Sequence, residues 1–223
     1  GEQSADEREI LGELAGRLRL GVIPTVAPYL LPAIMAALAA RMPALDLQPR
    51  ESVTRALIAD LLDSRLDAAI VALPISEPAL HELPLFDEDF VLVRPLSEAG
   101  KPVPGPDTLR EMRLLLLEEG HCFRDQALSF CTIGGAEPRY RMEGSSLSTL
   151  VQMVGAGMGL TLIPDMALPL ERRGADVDVV RFAPPRPSRT IGMVWRRTNP
   201  LADQLAEIGA VIGAAGRAQA RAV

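Results

Sequence analysis

The sequence is poor in several residue types, and each shortage narrows the classes of protein that fit it. Its 223 residues include two cysteines, two histidines and one tryptophan. No run of about eighteen apolar residues is present, so we expect no transmembrane helix and no membrane partner. The formal net charge of −6 argues against nucleic-acid binding by this chain itself, because such surfaces are usually basic.

The start of the chain lacks the pattern of a secretory signal. Residues 1–9 show no basic start followed by an apolar core, so we expect no secretory signal and a cytoplasmic, soluble protein. Stable disulfides are rare in a reducing compartment, where two cysteines are more often catalytic or redox-sensing than structural. Hydrophobic residues make up 48% of the chain, enough for one large core or two modest ones.

Predicted strands and helices alternate along the chain, which is typical of an α/β protein. In the first half, strands are predicted at 18–22, 45–48 and 67–73, and helices at 27–41 and 55–64. Ser52 or Thr54 can cap the second of these helices. The pattern recurs later, with strands at 114–117, 140–142 and 160–163 and helices at 123–130 and 147–154. Two similar halves indicate two Rossmann-like subdomains.

Two further strands are predicted outside these halves. Residues 90–95 form one and residues 190–196 the other, with a final helix at 201–215. We therefore expect the chain to cross twice between the subdomains, with the last helix packed on the first and a cleft between the lobes. Ligands of open α/β sheets bind outside the carboxyl ends of strands, where Thr25 and Thr54 would face that cleft.

Both cysteines lie in one segment, residues 119–131, with the sequence EGHCFRDQALSFC. The residues between them favour a helix. Nine residues of helix rise roughly 13 to 14 Å and leave Cys122 and Cys131 on opposite faces, whereas a disulfide needs Cα atoms within about 7 Å. The pair can therefore bond only if the helix unwinds, which suggests a switch. Two unrelated buried thiols are the open alternative.

Two other patterns have plain explanations. His121 beside Cys122 could indicate a metal pair, but His81, some forty residues earlier, is the only other histidine. A zinc site would lack ligands, so we expect no metal and no cofactor. The glycine-rich stretch 155–159 follows a predicted helix and not a strand, which is the wrong context for a dinucleotide loop. We expect it to end the helix and permit close packing.

Several motifs carry a resemblance to a known family. LRLGVIPT at 18–25, DAAI at 67–70 and GAGMGLTLIP at 155–164 resemble the regulatory domain of LysR-type transcriptional regulators. GHCFRDQ at 120–126, followed by Cys131, is more specific and resembles the peroxide-sensing, OxyR-type branch of that family. The match covers nearly the whole chain. It implies an α/β architecture like that of type 2 periplasmic binding proteins, with two crossover strands.

The resemblance also implies a domain organisation. Residues 17–89 and 192–223 would form regulatory subdomain I, and residues 90–191 would form regulatory subdomain II with the redox switch. Members of the family carry an N-terminal winged helix-turn-helix that binds DNA. We expect that domain to be absent from this chain, with residues 1–16 as the stub of the linker helix.

The resemblance assigns Cys122 as the peroxidatic thiol and Cys131 as the resolving thiol. An ordinary thiol with a pKa of about 8.5 is roughly 3% thiolate at pH 7, so lowering that pKa by about two units gains only about 25-fold in reactive species. Each further tenfold in rate needs about 1.4 kcal/mol of transition-state stabilisation. Other groups must therefore hold the peroxide and stabilise the departing hydroxide.

The family match supplies such groups. It implies that four residues surround the peroxide, namely Thr25, Thr54, His121 and Arg189. The threonine hydroxyls would hold the peroxide in line with sulfur, and the arginine and histidine would stabilise the hydroxide. Three further residues are expected to support the site or order the start of the helix, namely Arg124, Asp125 and Gln126.

The residues alone leave plainer roles open. Thr54 can serve as a helix cap, and Thr25 can simply end a strand. Arg124 can lie at the surface, and Arg189 can pair with a nearby acidic residue.

The resemblance predicts a hydrogen-peroxide-sensing regulatory domain and not an enzyme. Peroxide would oxidise Cys122 to a sulfenic acid that condenses with Cys131 and changes the dimer geometry, with Ala156 in the dimer interface. The implied partners are peroxide, further copies in a homodimer or homotetramer, a cellular thiol reductant, and promoter DNA and RNA polymerase through the full-length protein. The alternatives are a thiol peroxidase-like enzyme, or a LysR-type or solute-binding module for a small organic effector.

Overall fold

The structure, a computed structural model, describes residues 16–131 and 140–222, without the side chains of residues 140 and 141. In chain order the strands are β1 (Gly16–Val22), β2 (Leu45–Glu51), β3 (Ala68–Leu73), β4 (Leu80–Pro95), β5 (Arg113–Leu117), β6 (Tyr140–Gly144), β7 (Thr161–Pro164), β8 (Val177–Arg181) and β9 (Ser188–Arg196). The helices are α1 (Ala27–Arg41), α2 (Thr54–Leu62), α3 (Pro106–Glu111), α4 (Cys122–Cys131), α5 (Leu147–Gly155), α6 (Leu168–Glu171) and α7 (Ala202–Arg221). The predicted α/β class is confirmed. The predicted linker-helix stub lies outside the described residues, except Gly16, which begins β1.

The chain divides into two units. Of the described residues, those up to Phe86 and from Thr190 onwards form the first unit, and those within Asp87–Arg189 form the second. Strands β4 and β9 each pass from one unit to the other, so the chain crosses between the units twice.

The first unit is a β-α-β-α-β arrangement. Strand β1 pairs in parallel with both β2 and β3, and β3 pairs antiparallel with β9. Parallel neighbours need crossover connections, which α1 and α2 provide. The strand residues Leu20, Val22 and Ile70 have no exposed surface, and neither does Leu57 of α2. The core of this unit thus lies between the sheet and its helices.

Helix α7 completes the first unit, packs against α1 and is longer than predicted. The prediction ended it at residue 215, but the helix continues to Arg221 through Gly213 and Gly216. A Cβ at Gly216 would clash with the ring of Phe86, and a Cβ at Gly213 would contact Leu85. Glycine inside a helix costs about 1 kcal/mol relative to alanine, and here it allows the helix to approach β4 closely.

The second unit contains two groups of paired strands. Strand β5 pairs in parallel with β6, while the second half of β4 pairs antiparallel with β7 and with β8. Hydrogen bonds join Leu115 N to Leu160 O at 2.8 Å and Leu160 N to Arg113 O at 3.0 Å. A Cβ at Gly159 would clash with the carbonyl oxygen of Arg113. The glycine-rich stretch therefore ends α5 and permits close packing, as predicted.

Some element boundaries differ from the sequence expectations. Strand β4 starts ten residues earlier than predicted, and α3, α6 and β8 were not predicted. The capping prediction for α2 is wrong, because the N-cap residue is Val53, whose side chain cannot accept a hydrogen bond. The helix ends at Leu62, before Ser64, which has a φ of 59°. Within the described residues, no helix combines the length and apolar character needed to cross a membrane.

Candidate functional site at the thiol helix

Helix α4, here called the thiol helix, runs from one cysteine to the other, as the sequence pattern predicts. Cys122 is its first residue and is partly exposed, whereas Cys131 is its last residue and has no exposed surface. No disulfide joins the two thiols. A helix of this length separates the Cα atoms of its end residues by roughly 13 to 14 Å.

A tight turn leads from β5 into the thiol helix. Gly120 has a φ of +100°, a conformation that favours glycine. His121 follows, and its carbonyl oxygen accepts a hydrogen bond from Arg124 N at 3.1 Å. Burial lowers the pKa of the His121 side chain, against the opposing effect of the nearby Glu118 carboxylate. Burial thus favours the neutral imidazole, in which one nitrogen donates and the other accepts.

Arg124 connects the first turn of the thiol helix to β5 and β6 by hydrogen bonds. Its Nη1 donates to the carbonyl oxygen of Leu117 at 2.7 Å and to Oε1 of Glu143 at 2.8 Å. Only 5% of Arg124 is exposed, so it is not the surface residue that the sequence alone allowed. The guanidinium connects α4 to the ends of β5 and β6.

Arg189 belongs to a buried ion pair. Its Nε and Nη2 donate to Oε1 of Glu88 at 2.7 and 2.6 Å, while Oε2 of Glu88 accepts from Met166 N at 3.2 Å. Burial raises the pKa of the Glu88 carboxyl group, and the positive charge of Arg189 opposes that shift. The Arg189 Cζ also lies 5.3 Å from the centroid of the Phe123 ring. Arg189 therefore contacts the residue that directly follows Cys122.

Sequence reasoning gave Glu88 no role, although a signal was available. The carboxylate lies in β4, just before an apolar run that begins at Phe90. A buried carboxylate in such a strand requires a partner, because burying a charge alone is costly. The search for that partner would have led to an arginine.

Asp125 and Gln126 differ in their surroundings. Asp125 is exposed in the first turn of the thiol helix, where a negative charge interacts favourably with the helix dipole. Gln126 lies one turn after Cys122 and so on the same helix face. Its Oε1 is buried and has no hydrogen-bond partner among the described residues. Gln126 thus presents an unsatisfied acceptor on the face that carries Cys122.

Cys131 is held in an apolar environment. Burial raises the pKa of its thiol from an ordinary 9.0 to about 11. The adjacent Phe130 ring packs edge-on against Phe182 with centroids 4.8 Å apart. Since the thiolate is the nucleophilic form, Cys131 is unreactive near neutral pH while the thiol helix is folded.

This pKa shift gives a testable dependence of stability on pH. The raised pKa of Cys131 contributes stability that is fully present below about pH 9 and is lost as the pH rises toward 11, because only the unfolded chain then releases the proton. We expect the loss to be about 2 to 3 kcal/mol in the free energy of unfolding. Denaturant titrations at pH 8 and pH 11 measure it, with Cys131→Ala as the control. Equal losses in both proteins would contradict the prediction.

Thr25 and Thr54 lie in the first unit. Thr25 is buried in the turn between β1 and α1, and Thr54 is the first residue of α2. Strands β1 and β2 are parallel, with Val22 opposite Glu51, and Ser52 N donates to Val22 O at 3.2 Å. Both threonines therefore follow carboxyl ends of strands at one edge of this sheet.

Comparison with known proteins identifies the class of this chain. The family model for the LysR substrate binding domain matches residues 11–215. The chain therefore belongs to the LysR substrate-binding domain family. Within the described residues, no three His, Cys, Asp or Glu side chains are grouped to hold a metal ion.

Within this family the chain is similar to OxyR proteins. It is 34% identical to the reduced OxyR regulatory domain of Pseudomonas aeruginosa, with a TM-score of 0.81, and covers 97% of that chain. It matches a peroxide-bound cysteine-to-serine mutant of Corynebacterium glutamicum OxyR at 32% identity and a TM-score of 0.89, covering 70% of that chain. These alignments include 91% and 97% of the present chain.

A curated relative is also named for a response to hydrogen peroxide. The probable hydrogen peroxide-inducible genes activator of Streptomyces viridosporus is 45% identical over 206 residues, which include 91% of this chain. The chain spans 66% of the length of that relative.

Proposed function

We propose that this chain is the hydrogen-peroxide-sensing regulatory domain of a LysR-type transcription factor. The observation that carries the proposal is the thiol helix, which starts at a partly exposed cysteine and ends at a fully buried one. The names of the OxyR relatives support it. Cys122 is the peroxidatic thiol and Cys131 the resolving thiol.

The first step is a two-electron oxidation of sulfur. The Cys122 thiolate attacks one oxygen of hydrogen peroxide, so that an S–O bond forms, the O–O bond breaks and hydroxide leaves. Sulfur becomes a sulfenic acid, and hydroxide takes a proton to become water. The developing hydroxide charge is the part of the transition state that protein groups can stabilise.

Seven residues around this step have assigned roles. The resemblance assigns peroxide binding to Thr25 and Thr54, and we propose that Arg189 with neutral His121 stabilises the departing hydroxide. Arg124 orders the start of the thiol helix, and the negative charge of Asp125 stabilises the same end through the helix dipole. The unsatisfied Oε1 of Gln126 accepts a hydrogen bond from the bound peroxide.

The second step forms the disulfide and requires Cys131 to leave its apolar environment. Once α4 unwinds, the Cys131 thiol regains an ordinary acidity and its thiolate attacks the Cys122 sulfenic sulfur. An S–S bond forms, the S–O bond breaks, and hydroxide leaves as water. The disulfide persists until a cellular thiol reductant removes it, so the chain acts once per oxidation as a sensor and not as a turnover catalyst.

The signal passes to other molecules through assembly. Refolding of the thiol helix alters the geometry of a homodimer or homotetramer, and promoter DNA and RNA polymerase respond through the full-length cytoplasmic protein. The winged helix-turn-helix that reads DNA precedes this regulatory domain in that protein. In the domain itself, we take residues 17–89 and 192–223 as subdomain I and residues 90–191 as the redox-active subdomain II, bounds that differ by up to three residues from those of the two units.

One experiment separates this function from its two rivals. The reduced protein receives one equivalent of hydrogen peroxide, and mass spectrometry follows the thiols while an electrode follows peroxide. A sensor forms one Cys122 to Cys131 disulfide, and when excess peroxide and a thiol donor are then added it consumes little more peroxide. Sustained turnover with a thiol donor would indicate a thiol peroxidase. Intact thiols would indicate a module for a small organic effector.

The dimer interface is tested at Ala156. This residue is exposed at the C-cap of α5 and borders a groove of about 360 Å³ that Gln152 and Met153 also line. We expect Ala156→Val to weaken dimerisation at least tenfold, about 1.4 kcal/mol, because the added methyl groups separate the packed surfaces. Analytical ultracentrifugation at micromolar concentration measures the change.

A matched control for this variant is Ala99→Val, at an exposed alanine in the turn after β4. It should dimerise as the unmodified chain does. A monomeric unmodified chain, or equal dimerisation of both variants, would contradict the placement of Ala156 in the interface.

A further inference from the structure

The Glu88 and Arg189 pair is unusual among the ion pairs of the described residues because both members are almost fully buried. The side chain of Arg189 has no exposed surface, and that of Glu88 is 5% exposed. Partners in most other pairs reach solvent, as in the pair of Arg186 with Asp89, whose side chains are 44% and 37% exposed. Burying two charges costs several kcal/mol per ion before their attraction is counted, so this pair adds little net stability.

Both carboxylate oxygens of Glu88 accept hydrogen bonds. One accepts two hydrogen bonds from the Arg189 guanidinium, and the other accepts from the backbone amide of Met166. The carboxylate is thereby anchored to the segment after β7 and fixes the direction of the guanidinium. A cation that is held by a rigid acceptor keeps its orientation while a neighbouring reaction proceeds.

The held guanidinium lies against the start of the thiol helix. Its Cζ is 5.3 Å from the Phe123 ring centroid, and that ring packs edge-on against Phe90 at 4.7 Å. Phe123 is covalently next to Cys122, and the Arg189 charge is offset by Glu88 at hydrogen-bond distance. The pair therefore presents an oriented dipole, and not a bare positive charge, beside the residue that follows the reactive cysteine.

We propose that Glu88 is a positioning residue for the reaction of Cys122 with hydrogen peroxide, acting by orienting Arg189 and offsetting its charge. This inference rests on the proposed function. Removing the Glu88 charge has two opposite consequences. The guanidinium loses the acceptor that aligns it with the departing hydroxide, which slows oxidation by peroxide. Its uncompensated positive charge favours the Cys122 thiolate, which speeds alkylation.

The test compares two reagents on the same protein. In Glu88→Gln, a substitution that preserves shape, we expect oxidation of Cys122 by peroxide to slow about tenfold. Alkylation of Cys122 by iodoacetamide, which releases iodide and gains nothing from hydroxide stabilisation, should be unchanged or faster. Both rates are measured over pH 5 to 9 in a Cys131→Ser background, so that only one thiol reports. Asp89→Asn removes the neighbouring, partly exposed carboxylate, which pairs with Arg186, and should leave both rates as they are.

A mutant cycle shows whether Glu88 acts through Arg189. In an Arg189→Gln background, Glu88→Gln should produce no additional slowing of the peroxide reaction. Glu88→Asp, which keeps the charge but shortens the reach, should slow peroxide oxidation several-fold without faster alkylation. If Glu88→Gln shows no cooperative thermal transition, the Glu88→Asp variant and the double variant supply the same comparison.

Three results overturn the inference. Equal slowing of oxidation and alkylation, or additive effects in the cycle, would assign Glu88 a packing role only. A different result would reject the proposed function itself, namely that Cys122 with Glu88 and Arg189 intact is oxidised by peroxide no faster than an ordinary thiol. Rapid oxidation of the unmodified site together with an unchanged Glu88→Gln rate would reject the role of Glu88 alone.

Discussion

Cys122→Ser is expected to abolish oxidation of this chain by one equivalent of hydrogen peroxide. The hydroxyl group of serine is not a nucleophile toward peroxide, and the thiol that is left, Cys131, is fully buried with a pKa of about 11. At pH 7 a thiol with that pKa is about 0.01% thiolate, so its reaction should be at least a hundredfold slower than that of an ordinary thiol. Mass spectrometry of intact protein after peroxide addition measures the loss.

The matched variant is Cys131→Ser. It retains the peroxidatic thiol and lacks the resolving one, so a sulfenic acid should accumulate at Cys122. Labelling with dimedone followed by peptide mapping identifies the modified residue. Labelling of Cys131 in Cys122→Ser at the rate seen for the unmodified protein would reverse the two assignments.

Much of the fold follows from local sequence patterns. The first β-α-β-α-β half was predictable from its apolar runs and stripes, and the thiol helix because the residues between the two cysteines favour a helix. The first half of β4 was not predictable, because it contains Pro84 and proline normally indicates the end of a strand or an edge strand. Gly216 directly follows the predicted end of α7, and only its packed neighbour Phe86 shows why the helix continues through a glycine there.

The candidate site was predictable in its residue types more than in its contacts. The histidine, cysteine and arginine positions came from a short motif, but nothing local to Arg124 indicated its hydrogen bonds to Leu117 O and Glu143. The partner of Arg189 is 101 residues away in the sequence. Pairs of side chains so far apart in the sequence are brought together by the tertiary fold. Local patterns in a single sequence therefore do not specify them.

Formation of the Cys122 to Cys131 disulfide is expected to unwind the thiol helix. The helix holds the two Cα atoms about twice as far apart as a disulfide tolerates, so the bond and the intact helix cannot coexist. Unwinding breaks several contacts of the reduced form. These include the hydrogen bonds of Arg124, the packing of Phe123 on Phe90, and the packing of Phe130 on Phe182. Each aromatic pair contributes about 0.5 to 1.5 kcal/mol beyond burial, so several kcal/mol are lost in total.

Amide hydrogen exchange measures this change directly. A loss of about 3 kcal/mol in local stability corresponds to roughly hundredfold faster exchange, and we expect it for the amides of α4 in the oxidised protein. Strand β1, in the other unit, should keep its protection. The control is peroxide-treated Cys131→Ser, which carries an oxidised Cys122 without the disulfide and should retain the exchange pattern of the reduced form. If α4 keeps its protection in protein whose disulfide is confirmed by mass spectrometry, unwinding of this helix is not the signal, and a dithiol reductant should then restore no protection because none was lost.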